Sequence, residues 1–392
     1  MNEIANSEKK NLASRLYKMT LPVEIIVIFS LFTILTKGTF LSARNISNLL
    51  MQGVTCSIIA TTMMMVIVTT NADLSAGVAL GFIGTVAAYI QVNTTLGTVW
   101  TFVICILIGA VIGLWHGFWI SYRKLPAFIV TYASQLLFKG GTLLITSGAS
   151  IGPVSDSFAV LGRSYIPKLN QNCAFNDTSL YITIFVALVY IAATLLGRAK
   201  KQREGLSTLS WGKTIARMVL VIALIALVSS FLIRYNGFSY AMLLLAILGV
   251  VLSFVVSNTT FGRYVFALGG NSEAARLSGI NNERVLMTVY ILHSVVVSLA
   301  SIVFLGRVGQ ATAAAGVGFE FTAITGCVVG GTSILGGRGN VLGAIIGTML
   351  MASLDNGMSL LNLGATYQYL IKGLVLMLAI AMDVGFAKKK QG

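Results

Sequence analysis

Residues 239–257 read SYAMLLLAILGVVLSFVVS, nineteen positions without a single charged side chain. About 20 residues of α-helix cross a bilayer core. The run is too long for a barrel strand and lacks the alternation of one. It is therefore expected to span a membrane as a helix, which satisfies every backbone N–H and C=O internally. Eleven further apolar spans surround it, at about 21–36, 47–69, 74–92, 97–119, 126–147, 179–197, 218–233, 286–305, 320–335, 341–361 and 367–384. The chain reads as an all-α polytopic membrane protein with about twelve transmembrane helices, ten at the fewest. Some are short or broken, and the glycine-rich spans 74–92 and 320–335 are candidates for half-helices. Composition agrees, since 56% of the 392 residues are hydrophobic and 10% are charged, against roughly 25% charged in a soluble domain.

The net charge of +15 is distributed by side rather than gathered into a nucleic-acid surface. With both termini cytoplasmic, nineteen Lys and Arg fall on the inner side and six on the outer, while Lys139 and Lys372 lie inside spans. That asymmetry is the positive-inside pattern, with a minor share for meeting anionic lipid. The first 20 residues are polar and basic, with no apolar stretch before a small-residue cleavage site. No cleaved signal peptide is expected, and the first span acts as its own insertion signal.

The whole chain, 1–392, reads as one transmembrane domain. Its polar parts are an N-terminal cytoplasmic segment 1–20, an extracytoplasmic loop 149–178, a basic cytoplasmic loop 198–217 and a cytoplasmic loop 258–285. Pro126 suits a helix start. Gly109, Gly113 and Gly117 on one span and Gly339, Gly343 and Gly347 on another form ridges that admit close helix packing. Cys56, Cys105, Cys173 and Cys327 form no CxxC pair and read as small buried hydrophobes. The two histidines, His116 and His293, are not at metal-ligand spacing and read as polar residues between helices, so no metal site is expected. Gly212-Lys213-Thr214 resembles the end of a phosphate loop, but Ser207 stands where the motif needs glycine. The run Gly336, Gly337, Gly339 lacks the strand–turn–helix context of a dinucleotide site. No cofactor is expected on this chain.

One polar island interrupts the apolar pattern, FGRYVFALGGNSEAARLSGINN at 261–282. Asn271 or Ser272 can cap a helix whose first turn carries Glu273, where the dipole favours a carboxylate. Arg276 stands three residues on, within pairing distance, and Gly279 is a natural stop. A helix of about two turns is too short to be stable alone in water. It is either an ordinary solvated loop or an element that docks on a partner.

The island, with GGTSILGGRGNVLGAIIG at 330–347, DNGMSL at 355–360, DLSAG at 73–77 and PAFIVT at 126–131, resembles the permeases of bacterial ABC importers for monosaccharides. The resemblance covers nearly the whole chain, and within the ribose/xylose/galactose branch it is greatest to the xylose type. Segment 179–234 would supply a helix pair that ribose permeases lack. The resemblance implies a coupling helix that seats in a groove of an ATPase, carried by Gly262, Arg263, Gly269, Gly270, Asn271, Glu273, Ala274, Arg276, Ser278 and Gly279. It further implies a permease homodimer, a twin-cassette ATPase that uses ATP and Mg, and an extracytoplasmic sugar-binding protein. The expected place is the bacterial inner membrane and the expected cargo D-xylose, with ribose, arabinose or galactose as alternatives. Two departures stand out: His116 and Asp355 occupy positions where members of the family often carry Asn.

Sugars need donors and acceptors, and a helix break supplies free backbone groups. Asn71, Asp73 and Ser75 sit in such a break, with Asp73 placed near the inner face and read first as a helix cap and second as a path residue. Thr131 and Gln135 share a polar face, and Asp355 and Asn356 lie towards the outer end of span 341–361. Lys139 and Lys372 are expected to snorkel or to pair with a carboxylate. The competing class is a gradient-driven carrier or channel, which needs intramembrane charges. Asp73 and Asp355 show no evident partner in the sequence. An integral-membrane enzyme is disfavoured, since no catalytic constellation is present.

Overall fold

The spans fold into helices that, in the computed structural model, are described for residues 21–391. The expected cytoplasmic segment 1–20 lies outside the described residues. In chain order the helices are α1 (Leu21–Leu35), α2 (Ala43–Val68), α3 (Ala76–Asn93), α4 (Thr98–Gly117) and α5 (Ala127–Thr146). There follow α6 (Asp156–Arg163), α7 (Asp177–Arg203), α8 (Trp211–Arg234), α9 (Tyr240–Asn258), α10 (Thr260–Gly270) and α11 (Ser272–Leu277). The last are α12 (Asn282–Val308), α13 (Phe319–Val329), α14 (Val341–Leu360) and α15 (Ala365–Gln391). Ten are long and apolar enough to cross a membrane, and α1 and α13 are shorter apolar helices. The quoted stretch is α9, started by Ser239, whose hydroxyl accepts from the Met242 N–H.

Helix α2 is the axis of the bundle. It is buried along most of its length, including Thr55, Ser57, Thr61 and Thr62, and it packs on α12, α13, α14 and α9. Helix α12 lies between α2 and α4. The Gly109–Gly113–Gly117 ridge faces it so closely that a methyl at Gly109 would stand 2.6 Å from the Ser294 carbonyl oxygen. At Gly113 it would stand 2.5 Å from Ile291 Cα. The second ridge does the same work, with Gly343 and Gly347 pressed on the backbone of α13 and the glycine turn after it. Both ridges therefore convert missing side chains into backbone-to-backbone packing.

Two segments depart from the sequence expectation, and the half-helix candidates divide. The loop 149–178 contains α6, capped by Ser155 and docked on α12 with Gly162 against the Gly306–Arg307 backbone. Eight residues with buried Phe158 and Ala159 were too few to register as a span. Of the two half-helix candidates, 320–335 is short, since α13 stops at Val329 before a turn through Gly330 and Gly331, whereas 74–92 forms α3 at spanning length. The first half of the glycine-rich island is not a loop but α10, which starts on the Thr259 side chain. The pair α7–α8 packs as a hairpin at the periphery, with scarcely a buried residue along α7.

Candidate translocation cavity and coupling segment

A cavity of about 500 Å³ lies among α2, α13, α14 and α15, with Arg307 of α12 also in its lining. That is within the size range of small-molecule sites. Its wall is mixed: Gln52, Thr322, Thr325 and Tyr369 alternate with Phe319, Phe321 and Met351. Asp355 pairs across it with Lys372 at 2.9 Å, each side chain a little over one quarter exposed. The apparent lack of a partner for Asp355 is thus corrected, since Lys372 reaches it from α15, seventeen residues away in sequence. Asp355 Oδ1 has no hydrogen-bond partner, so an unused acceptor is buried beside the cavity. Asn356, one residue on, turns away from it and accepts from Asn45 at 2.8 Å, which ties α14 to α2.

The other sequence candidates do not join this cavity. Segment 69–75 leaves α2 through Thr70 at φ 61° and turns back into the bundle. Asp73 therefore sits inside the protein, 2% exposed. Its Oδ1 accepts from the Ser75 N–H and hydroxyl at 2.7 Å each, holding the chain where it enters α3. Its Oδ2 lies 3.7 Å from His116 Nδ1 and 3.5 Å from His293 Nε2. The absence of a partner for Asp73 is corrected as well. The two histidines do lie between helices, and they are brought together by three elements far apart in sequence. His293 Nδ1 is 3.0 Å from the Thr62 hydroxyl, extending the cluster to α2. Thr131 accepts from the Leu74 N–H at 3.2 Å and donates to the Ala127 carbonyl. It thus satisfies the broken backbone. Asn71 bonds locally to Thr69, and Gln135 is half-buried on α5.

At the far end of the island, α11 has the form that its sequence predicts. Asn271 accepts from the N–H groups of Glu273 and Ala274 at 3.1 and 2.9 Å. Glu273 and Arg276 pair at 2.7 Å, and each carries its charged form further from neutrality because of the other: the carboxyl is pulled below its usual range and the guanidinium pushed up. Ser278 donates back to the Ala274 carbonyl, and Gly279 ends the helix at φ 83°. One face is anchored: Ala275 is buried and Asn282 donates to the Ser272 carbonyl at 2.8 Å. The other is open, with Glu273 and Arg276 each 65% exposed and Leu277 78% exposed.

The helix before it is seated on backbone. Gly262 packs on the Val256 carbonyl, and Gly269 packs on the carbonyl of Val68, the last residue of α2. That same Val68 oxygen accepts from the Gly337 N–H at 3.0 Å. The end of the axial helix, the 336–337 turn and the α10–α11 segment therefore meet at one point. Arg263 is exposed and Gly270 has open space on its Cβ side though its backbone lies against Gly337, and Lys124 fixes the start of α12 by pairing with Glu283 at 2.5 Å. Sequence reasoning missed Leu277, since one leucine in a polar loop carries no periodic signal.

A family model described as "Branched-chain amino acid transport system / permease component" matches residues 45–380, from the start of α2 into α15. The chain belongs to this permease family. Among its relatives, the Xylose transport system permease protein XylH of Escherichia coli (strain K12) is 39% identical over 360 residues, covering 92% of this chain and 89% of the relative. The protein of the same name from Haemophilus influenzae (strain Rd) is 35% identical over 384 residues, covering 97% and 99%. The Ribose import permease protein RbsC of Escherichia coli (strain K12) is 28% identical over 361 residues, covering 92% of each chain. No solved structure matches this permease.

Proposed function

We propose that this permease is the membrane subunit of an ATP-driven, binding-protein-dependent sugar importer of a bacterial inner membrane, with D-xylose as its cargo. Ribose, arabinose and galactose are the alternative sugars. The carrying observation is the pairing of xylose-named relatives along nearly the full length of the chain with a capped, outward-facing helix that has no use inside a self-sufficient carrier. The charge asymmetry of the sequence supports placing α11 and both termini on the cytoplasmic side. There α11 would seat in a twin-cassette ATPase, which binds and hydrolyses the ATP with Mg. This chain would do no chemistry of its own.

The cavity between α2 and α13–α15 is then the candidate sugar path. Gln52, Tyr369 and Phe321 are exposed along its open side, and polar groups at membrane depth face water or protein rather than lipid. A second copy of the chain closing that side would form a central path between two permeases, with a sugar-binding protein docked above. Alternating access would follow from movement of α10–α11 against the end of α2, since Gly269 and Val68 touch there.

A gradient-driven carrier is the second reading, favoured by the buried Asp73–His116–His293 cluster, whose groups are of the kind that relay protons. Reconstituted vesicles separate the two. The importer reading expects sugar uptake that requires the ATPase, the binding protein and ATP, and that survives collapse of the proton gradient. Uptake that proceeds without the ATPase and stops with the gradient would overturn it. A panel of pentoses, hexoses and branched-chain amino acids, each with its binding protein, tests the cargo.

A further inference from the structure

At the 198–217 end of the α7–α8 hairpin a cavity of about 340 Å³ opens between the two helices. Tyr190, Thr194, Arg198 and Lys201 line it from α7, at the spacing that puts side chains on one helical face. Thr214 and Arg217 line it from α8, and the 207–209 link closes its end. Three cations thus face one hollow. Glu204 is the only acidic residue between Asp177 and Glu273, and it pairs instead with Lys200, outside the lining, at 3.9 Å. Arg198 is held in place. Its guanidinium donates to the Leu209 carbonyl and the Thr214 hydroxyl and stacks 4.3 Å from the Trp211 ring, while its Nε is buried without a partner.

The surroundings separate this hollow from a site for a free anion. Trp211 is 56% exposed beside it, the place that tryptophan takes at a membrane–water boundary. Past it, α7 and α8 present exposed apolar side chains, among them Leu188, Leu196 and Leu220. An anionic group in the hollow would have acyl chains laid along these walls. Basic pockets between helices at the cytoplasmic surface hold lipid headgroups by this combination.

We propose that the Arg198–Lys201–Arg217 hollow binds the phosphodiester headgroup of an anionic phospholipid in the inner leaflet, with the α7–α8 surface receiving its chains. The site stands apart from the sugar path and from α11, and it gives the peripheral hairpin a function in holding lipid.

The test uses the full chain, purified in mild detergent and exchanged with phosphatidylglycerol or phosphatidylcholine, with retained lipid counted by native mass spectrometry. One variant removes two lining cations (Lys201→Gln with Arg217→Gln), leaving the structural Arg198 intact. Its control removes two nearby cations outside the hollow (Lys200→Gln with Lys213→Gln). The site expects phosphatidylglycerol to be retained over phosphatidylcholine, and the lining pair to weaken that retention on the order of ten-fold while the control pair changes it less than two-fold. Equal losses in both pairs would mean diffuse surface charge and overturn the proposal. Millimolar inorganic phosphate that displaces the lipid and gives the same thermal stabilisation would make this a free-anion site and overturn the lipid source. Loss of ATPase co-purification in the lining pair, with lipid retention unchanged, would make it a protein contact instead.

Discussion

Asp73 Oδ2 and His293 Nε2 lie 3.5 Å apart with both side chains essentially excluded from solvent, joining the break between α2 and α3 to the middle of α12. The same carboxylate fixes Ser75 through its other oxygen. A single side chain therefore holds a broken backbone segment and two imidazoles. Removing one partner of such a buried set strands the others, which costs about 3–5 kcal/mol. Asp73→Ala is expected to lower the thermal unfolding midpoint of the detergent-purified chain sharply. Asp73→Asn keeps an acceptor for the Ser75 N–H and is expected to lose less. Equal midpoints for the wild type and Asp73→Ala would show that the cluster holds nothing.

Gly269 and Gly270 provide a contrast within one dipeptide. A methyl on Gly269 would run into the Val68 carbonyl, a backbone atom that cannot move alone, whereas a methyl on Gly270 meets nothing within 4 Å. Overpacking of this kind costs roughly 1–3 kcal/mol. Gly269→Ala is expected to shift α10 off the end of α2 and reduce coupled ATP hydrolysis several-fold, with Gly270→Ala near wild type. Limited proteolysis within 258–285 would report the shift directly, and equal cleavage in the two variants would count against a seat at Val68.

The open face of α11 carries an apolar tip, Leu277, beside the Glu273–Arg276 pair. A mostly exposed leucine on a helix this short contributes little to the fold, so Leu277→Asp is expected to leave the unfolding midpoint within about one degree while lowering the yield of ATPase complex at least ten-fold. The double variant Glu273→Ala with Arg276→Ala is expected to act in the same direction. Normal complex yield and transport in both variants would remove α11 from the docking surface.

The pH behaviour of that pair has a definite sign. Pairing with Arg276 depresses the Glu273 carboxyl below 4.5, so its contribution is complete above that ordinary value and fades only as pH falls through the depressed one. Complex formation should therefore be flat between pH 6 and 8 as far as this pair is concerned. Glu273→Gln at neutral pH should reproduce the low-pH loss. A mid-range titration that disappears in Glu273→Gln would contradict the assignment.

Much of this was legible in the sequence because membrane spans and caps are local signals. Apolar length gave the long helices, and Asn271, Glu273, Arg276 and Gly279 gave α11 in order, with its exposed pair. The polar contacts inside the bundle were not legible, since they depend on helix packing. Asp73 meets His116 and His293 across 43 and 220 residues of chain, and no spacing rule reaches that far. Gly262 and Gly269 appeared as loop glycines and turned out to be close-packing positions of a helix. The cavity was visible only as scattered residues such as Asp355 and Lys372, because its walls come from separate spans that only packing brings together.

Asp355 and Lys372 offer the sharpest test of the cavity. Their 2.9 Å pair leaves Asp355 Oδ1 buried and unbonded in the wall of the hollow, an acceptor that a rotation of the carboxylate would turn towards a ligand. If the pair only braces α14 against α15, Asp355→Asn with Lys372→Met should disturb stability and transport in proportion, whatever the sugar. If the carboxylate meets cargo, Asp355→Asn alone keeps the shape, donates where the carboxylate accepted, and lowers uptake of a pentose about ten-fold with the unfolding midpoint little changed. Deoxy sugars then identify the hydroxyl, because the analogue lacking it should lose affinity in the wild type and lose nothing further in Asp355→Asn. Additive losses for every deoxy analogue would place Asp355 outside the sugar path and leave it as a brace between two helices.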